Sequence, residues 1–404
     1  MSYDLLEGVR VIELSMYAFA PAAAAVLSDW GADVVKVVPP GTADPMMGRP
    51  VAGLPDVDVG VPFMWELLNR GKRCIGLDVS TDEGRAILVD LVAGADVFIT
   101  NLLPGARRRY RLDPDDLLAV NPRLVYGRAS AHGDRGPERE DGGFDATDFW
   151  SRSGIGHAAS LVSDEYVPLI GPAFGDLTSG TFLAGGIAAA LVRRDRTGQG
   201  AVVDVSLLGS AVWVLAPGVV ASDLYGVETI PRFRHAESRN PLVAVYQTKD
   251  RRLIALAGIQ TERYFTEFCT LLDRRDLLDD DRFATPEARL ANAADCVKVL
   301  DGIFAGRELA EWTEILSQLS TPWTVVQSAA EAARDQQVIA NEYVTETHGA
   351  SRVTRLVASP AQFDGVPPSL RGAPQHGEHT EEIVQSLGRS WEDIASLKET
   401  GTIT

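Results

Sequence analysis

Short β-branched apolar runs alternate with longer amphipathic or small-residue runs through the first half of the chain, and this alternation is its strongest structural signal. Residues 9–14, 34–38, 74–77, 96–100 and 124–130 read as strands. Residues 20–30, 81–93 and 114–120 read as helices between them. Strand and helix in turn predict an α/β layer fold around a largely parallel sheet. The turn after the first strand, Ser15-Met16-Tyr17-Ala18-Phe19-Ala20-Pro21, holds no glycine, so it is not the G-x-G-x-x-G turn of a dinucleotide site. Residues 176–194 predict a helix of small residues, among them Gly180, Ala184, Gly185, Gly186 and Ala188, which lets other backbones approach and predicts a buried, central position. A strand at 201–206 follows. Around 225–239 the periodicity fades into a linker, and residues 242–328 read as a separate unit, with strands at 242–248 and 253–257 and helices at 262–272, 286–304 and 309–319. The tail from about residue 330 predicts strands and a last helix.

Composition narrows the function classes. The 404 residues carry 38 Lys plus Arg against 56 Asp plus Glu, a net charge of −18. That is the wrong sign for nonspecific binding to nucleic acid or to an anionic membrane surface. An apolar fraction of 45% with 23% charged residues is that of a globular protein rather than a disordered or fibrous one. The three cysteines, Cys74, Cys269 and Cys296, are too scattered for a disulfide framework or a zinc site. Residues 1–7 lack a basic segment leading into an apolar core, so an intracellular, cytoplasmic protein is expected. Residues 205–222 hold no charge over 18 positions but include Ser206, Gly209, Ser210, Pro217 and Gly218, which predicts a buried helix and a turn rather than a membrane span.

Candidate chemistry concentrates in a few places. Gly175-Asp176 opens the small-residue helix. An aspartate there can cap the helix by accepting a backbone N–H. It can equally be a carboxylate nucleophile, held where N–H groups and the helix dipole stabilise an oxyanion. Local sequence leaves both open. Arg107, Arg108, Arg109 and Arg111 place four guanidiniums in five positions, and Arg70, Lys72 and Arg73 form a second cluster at a strand edge. Most such runs are solvated faces, but two of them beside the strand ends of an α/β sheet suit a phosphorylated ligand. Among the six histidines, His376 and His379 are three apart, but Gly377 and Pro374 argue for a loop and no third ligand is near, so no metal is expected. G-x-S-x-G, P-loop and H-E-x-x-H patterns are missing, which leaves serine hydrolase, nucleotide triphosphatase and zinc protease without support.

Gly175-Asp176, then Gly180, then Ala188-Ala-Ala-Leu-Val-Arg-Arg-Asp-Arg-Thr-Gly-Gln-Gly200 and Val203-Asp-Val-Ser-Leu207, resembles the centre of the family III CoA-transferases. That family includes formyl-CoA, carnitine and bile-acid CoA-transferases and the related alpha-methylacyl-CoA racemases. Leu6-Glu-Gly-Val-Arg-Val-Ile-Glu13, Gly31-Ala-Asp-Val-Val-Lys36, Asn69-Arg-Gly-Lys-Arg73, Asn101 to Gly105, Asn121-Pro-Arg-Leu-Val-Tyr126, Asp281-Arg-Phe and Gly377-Glu-His-Thr380 resemble it in the same order, over nearly the whole chain. The resemblance implies a large Rossmann-like α/β domain with a smaller α+β domain, in an interlocked homodimer with the active site between the large domain of one subunit and the small domain of the other. It implies that Asp176 attacks an acyl-CoA thioester and passes through a mixed anhydride and an aspartyl-CoA thioester before an acceptor carboxylate takes the CoA. Coenzyme A would then be substrate and product, with no permanently bound cofactor and no metal. Lys72, Arg73 and Arg109 fall where the family contacts the CoA phosphates and adenosine.

Three departures bear on the substrate. The racemase branch has a His before the Asp of its Gly-His-Asp segment, and here Phe144 precedes Asp145, so epimerisation lacks a partner base and transfer is favoured. Ala18 stands where formyl-CoA transferase carries a Gln, which argues against formate and oxalate exchange. Val38-Pro39-Pro40-Gly41 replaces the family's Glu-Arg-Pro-Gly and removes a CoA contact. Tyr17, Ala18, Phe144 and Asp145 are therefore the expected substrate-pocket residues, with Phe19 and Trp150 adding bulk that suits an acyl group larger than formyl. The expected reading is a soluble acyl-CoA:carboxylate CoA-transferase. Its large domain would span residues 1–224 plus 328–404 and its small domain 225–327. A 2-methylacyl-CoA racemase or isomerase using His132 or His157, or a CoA-binding protein without turnover, are the alternatives.

Overall fold

The computed structural model describes residues 3–48, 61–160, 167, 169–228, 235–349 and 353–404. Backbone contacts divide the chain into two units, residues 1–229 with 336–404, and residues 230–335. Within the linker expected at 225–239, residues 229–234 lie outside the described residues.

The first unit is built on six strands: β1 (Arg10–Leu14), β2 (Asp33–Val38), β3 (Arg73–Gly76), β4 (Val97–Thr100), β5 (Val125–Ser130) and β6 (Ala201–Ser206). They pair in the order β3-β2-β1-β4-β5-β6, every pair parallel. Side chains alternate between two apolar layers, as a sheet covered on both faces requires. Val11, Val34, Val97, Ile99 and Val125 point into one layer, with helices α1 (Phe19–Asp29) and α7 (Phe174–Thr197). Ile12, Val35, Phe98 and Tyr126 point into the other, with α3 (Asp82–Ala93) and α5 (Pro114–Val120). The strand order reverses between β1 and β4, and the crevice at the carboxyl ends of strands around such a reversal is where ligands bind in open α/β sheets.

The chain's C-terminal part returns to this unit. Thr380 Oγ1 accepts the Gly76 N–H at 2.9 Å, and the Trp65 indole donates to the Pro374 carbonyl at 2.8 Å.

Helix α7 is central to the unit but not wholly buried, contrary to expectation. Leu183, Ala184 and Ile187 face the core, while Gly185, Ala189 and Val192 are exposed. Its small residues matter where α1 crosses it. A Cβ on Gly180 would lie 2.9 Å from the Phe19 carbonyl oxygen and 2.8 Å from the Ala22 Cβ, so only glycine admits this approach. The uncharged stretch 205–222 is also not one buried helix. It forms α8 (Leu207–Val214) and α9 (Ala216–Tyr225), bent by 71° beside Pro217, and exposes Trp213, Leu224 and Tyr225.

Among the described residues, the short helices that the pattern does not predict include α2 (Phe63–Asn69) and α4 (Pro104–Tyr110). Pro104 and Gly105 suggest a turn, yet proline is well suited to the first helical position, and here it opens α4.

In the second unit Val245–Gln247, Leu253–Leu256 and Trp323–Val325 form an antiparallel sheet over a core containing Tyr246, Phe304 and Trp312. The first of these strands starts late because Asn240 Oδ1 accepts the Leu242 N–H and holds a turn there. The helix expected at 286–304 is two, Pro286–Ala291 and Ala293–Phe304. Asn292 breaks it, its Nδ2 donating back to the Ala288 carbonyl at 2.9 Å.

Candidate active site

A cavity of about 590 Å³ opens at the carboxyl ends of the strands. Met16 and Tyr17 after β1, Asn101 to Leu103 after β4, Ala129 to Ala131 at the end of β5 and Leu207 after β6 contribute to its wall, so it falls at the strand-order reversal. Phe144 and Asp176 complete it. The lining is mainly apolar, with three arginines, Arg107, Arg128 and Arg139, and two further carboxylates, Asp134 and Asp141.

Asp176 stands in the first turn of α7, and its helix is capped by another residue altogether. Phe144 precedes a π-helical turn, Asp145–Ser151, and the buried Asp145 carboxylate accepts the Gly175 N–H at 3.0 and 3.1 Å. This explains the glycine. A Cβ at position 175 would lie 2.2 Å from the Phe149 ring and 2.5 Å from Asp145 Oδ1. Burial pushes the Asp176 carboxyl up to about 7, and the Asp145 carboxylate beside it adds to the rise. Asp145 is itself raised by burial, partly offset by the N–H groups of Gly175, Asp176 and Phe174. Shifts of this kind, on a carboxyl at the edge of a cavity, concentrate at functional sites.

The other expected pocket residues divide. Tyr17 and Phe144 line the cavity with their rings edge to face, 5.5 Å between centroids. Phe19 lines it as well. Ala18 is buried behind the wall among Ala22, Met64, Leu68 and Ala173. Trp150 is also buried, its indole donating to the Val167 carbonyl at 3.1 Å, and is not part of the lining. Tyr17 has φ 65, left-handed backbone that costs of order 1 kcal/mol for a tyrosine.

The basic residues are placed less simply. Lys72 is fully buried and donates to Glu13 at 2.7 Å, to the Pro21 carbonyl at 3.0 Å and to Asn69 at 3.0 Å, away from the cavity lining. Lys36 donates to the same Glu13 at 2.8 Å. Burial alone would raise the Glu13 carboxyl, but the two ammoniums outweigh it and hold it at about 2. Burial also lowers Lys72, to about 8, with Glu13 opposing. All three donors of Lys72 are thus taken, so it cannot meet a phosphate in this arrangement. Arg73 pairs with Asp33 at 2.5 Å and with Glu382 at 3.4 Å, on the strand farthest from the reversal on its side. Arg109 is exposed on α4 with its guanidinium over the Tyr110 ring. Its neighbour Arg107 borders the cavity while bonding Asp113 at 2.9 Å and the Leu102 carbonyl at 2.9 Å.

Arg128 and Arg139 were not singled out in the sequence. Arg128 is held by Asp134 at 2.8 Å and by Asp204, and Arg139 is exposed with Glu140 3.5 Å away. Neither lies in a cluster or a motif, and only the meeting of β5 with the loop after it reveals them. Of the two histidines, His132 bonds Asp148 at 2.9 Å and is outside the cavity lining, and His157 is exposed on α6 (Ile155–Ser160). Among the described residues no group of three His, Cys, Asp or Glu could hold a metal ion.

A carboxyl at the head of a helix thus faces an apolar cavity at the switch point of a parallel sheet, where open α/β folds hold their ligands. The sequence model of CoA-transferase family III matches residues 6–380, and the chain belongs to that family. It is therefore an enzyme of the transferase type, in a family that moves coenzyme A between acyl-CoA thioesters and carboxylates. It is 32% identical over 404 residues to the (R)-2-hydroxy-4-methylpentanoate CoA-transferase of Clostridioides difficile, covering 99% of each chain. It is 29% identical to the cinnamoyl-CoA:phenyllactate CoA-transferase of Clostridium sporogenes, covering 98% of this chain and 96% of that one. The crystal structure of a CaiB/BaiF family protein from Brucella suis matches with a TM-score of 0.80 at 28% identity, covering 95% of this chain and 99% of the other.

Proposed function

We propose that the protein transfers CoA from an acyl-CoA to a carboxylic acid through covalent intermediates on Asp176. The observation that carries this reading is the Asp176 carboxyl itself, bordering the cavity and raised to about 7, so that the ionised form is poorly stabilised and ready to attack. An Asp176 oxygen adds to the thioester carbonyl, the C–S bond breaks, and CoA thiolate leaves a mixed anhydride. The thiolate then attacks the aspartyl carbonyl, releasing the donor acid and forming an aspartyl-CoA thioester. The acceptor carboxylate adds to that thioester and expels the thiolate, giving a second anhydride. Attack of the thiolate on the acceptor's carbonyl yields the new acyl-CoA and restores the Asp176 carboxylate. Each exchange trades one activated acyl group for another, so positioning and oxyanion donors supply most of the catalysis.

Arg139 at the cavity and the exposed Arg109 on α4 would hold the CoA phosphates, while Lys72 belongs to the Glu13 network. The position of Phe144 and the engagement of His132 by Asp148 favour transfer over epimerisation, which needs a second base at the α carbon. The exposed apolar side chains of α8 and α9, Trp213 and Tyr225 among them, suit the interface of a homodimer, and a cytoplasmic location accords with the three free cysteines, all buried. Sedimentation measurements would test the dimer.

The decisive experiment incubates the protein with an acyl-CoA and traps the enzyme with hydroxylamine or borohydride before mass spectrometry. A modified Asp176 is expected. Full transfer activity in Asp176→Asn would refute the assignment.

A further inference from the structure

Asn101 and Met16 are joined twice. Asn101 Oδ1 accepts the Met16 N–H at 3.1 Å, and Asn101 Nδ2 donates to the Met16 carbonyl at 2.7 Å. The register of β1 with β4 ends at Leu14 opposite Thr100, so a side chain just past the end of β4 takes over the pairing where the two backbones part. The next residue is Tyr17, with φ 65. A tyrosine keeps that conformation only when its surroundings enforce it, and the residue before it, Met16, is doubly held. The ring then stands at the cavity and meets Phe144 edge to face at 85°. Tyr17 is 39% exposed and Phe144 59%, so these large rings leave surface open to a ligand instead of spending it in the core. Phe144 is bonded directly to Asp145, whose carboxylate fixes the Gly175 N–H next to Asp176. The aromatic wall and the nucleophile are thus referenced to the same short segment.

We propose that Asn101 is a positioning residue for this wall, and that the Tyr17–Phe144 pair selects acyl groups with a flat or branched apolar body over short ones. The inference rests on the reading of Asp176 as the acyl acceptor. An aryl ring or a branched alkyl group in the cavity can meet both rings, by stacking or by edge contact, whereas an acetyl group offers them a single methyl.

The test compares kcat/KM for 3-phenylpropanoyl-CoA with that for acetyl-CoA, using one acceptor acid, in the native protein and in three variants. Asn101→Asp keeps the bond from the Met16 N–H and loses the one to its carbonyl. Tyr17→Gly removes the ring at a backbone conformation that glycine adopts freely, so the fold is retained and an unchanged Tm verifies it. Tyr17→Phe keeps the ring. The ratio favours phenylpropanoyl-CoA in the native protein, falls about tenfold or more in Asn101→Asp and Tyr17→Gly through KM for the bulky thioester, and stays within about twofold in Tyr17→Phe. Equal losses for the two thioesters in Asn101→Asp would overturn the proposal, as would a Tyr17→Phe ratio as low as that of Tyr17→Gly. Calorimetric binding of both thioesters to Asp176→Asn, with and without Tyr17→Gly, separates this inference from the catalytic one. A preference for phenylpropanoyl-CoA that vanishes with the ring supports the wall even if Asp176 is never acylated. Equal affinities alongside native transfer activity would overturn the wall alone.

Discussion

Asp145 caps the helix that carries Asp176 by accepting the N–H of Gly175 at 3.0 Å, across 30 positions of sequence. The cap has two electrostatic effects at once. It supplies the acceptor that the α7 N-terminus needs, and it sets a second carboxylate beside the first, adding to what burial does to Asp176.

The first consequence is a pH profile. Attack requires the ionised form, and a carboxyl raised to about 7 is mostly protonated at pH 6. For saturating acceptor, kcat/KM for the acyl-CoA is expected to fall about tenfold from pH 8 to pH 6. Asp145→Asn removes the neighbouring charge, so its acidic limb moves to lower pH. A pH profile flat between 6 and 8 in the native protein would count against Asp176 as the attacking group.

Stability follows the opposite course. The folded-state value of Asp176 lies above the unfolded 3.8, so the folded protein binds the proton more tightly and this contribution is fully present below about pH 3.8. It is lost as pH rises through about 7, beyond which the ionised group weighs against the fold. Asp176→Asn is therefore expected to be more stable than the native chain at pH 8, by of order 1–2 kcal/mol after allowing for water in the cavity, and to show no advantage at pH 4. Urea unfolding at the two pH values measures the difference.

Gly175→Ala tests the cap sterically. The added methyl would come within 2.2 Å of Phe149 and 2.5 Å of Asp145, and Phe149 is fully buried, so the carboxylate must give way. A loss of about 2 kcal/mol in stability is expected, from overpacking and a broken cap together. Transfer activity should fall further than stability accounts for, because the start of α7 moves with it. Thermal melts and initial rates on the same preparation would show whether the two losses separate.

How far these features could be read in the sequence depends on the span over which each is encoded. The strands were legible because a parallel sheet covered on both faces writes itself as near-continuous apolar runs, such as 34–38 interrupted only by Lys36, and 97–99. The candidacy of Tyr17, Phe144 and Asp176 was legible from their segments and the family resemblance, and all three border the cavity. The partnership of Asp145 with Gly175 was not, since nothing local distinguishes a carboxylate that caps a distant helix from one in solvent. Helix α4 was obscured because Pro104-Gly105 signals a turn and a helix start equally well. The same limit explains Lys72, which the family resemblance assigns to the CoA phosphates, whereas its partner Glu13 lies 59 positions earlier on β1, separated from β3 by β2.

That reassignment gives the last prediction. Lys72→Met strands Glu13 Oε2, the Pro21 carbonyl and Asn69 Oδ1 in the core with one ammonium fewer to satisfy them. Removing one member of a buried ionic group costs about 3 kcal/mol, so the variant should unfold at markedly lower denaturant. CoA affinity of its folded fraction should nevertheless weaken with salt as steeply as in the native protein, because Lys36 still neutralises Glu13 and no phosphate contact has been lost. Arg139→Gln should do the reverse, leaving stability within about 0.5 kcal/mol while flattening the salt dependence. Titration of CoA at low and moderate ionic strength distinguishes the two residues. A flattened slope in Lys72→Met with native stability would return that lysine to the ligand.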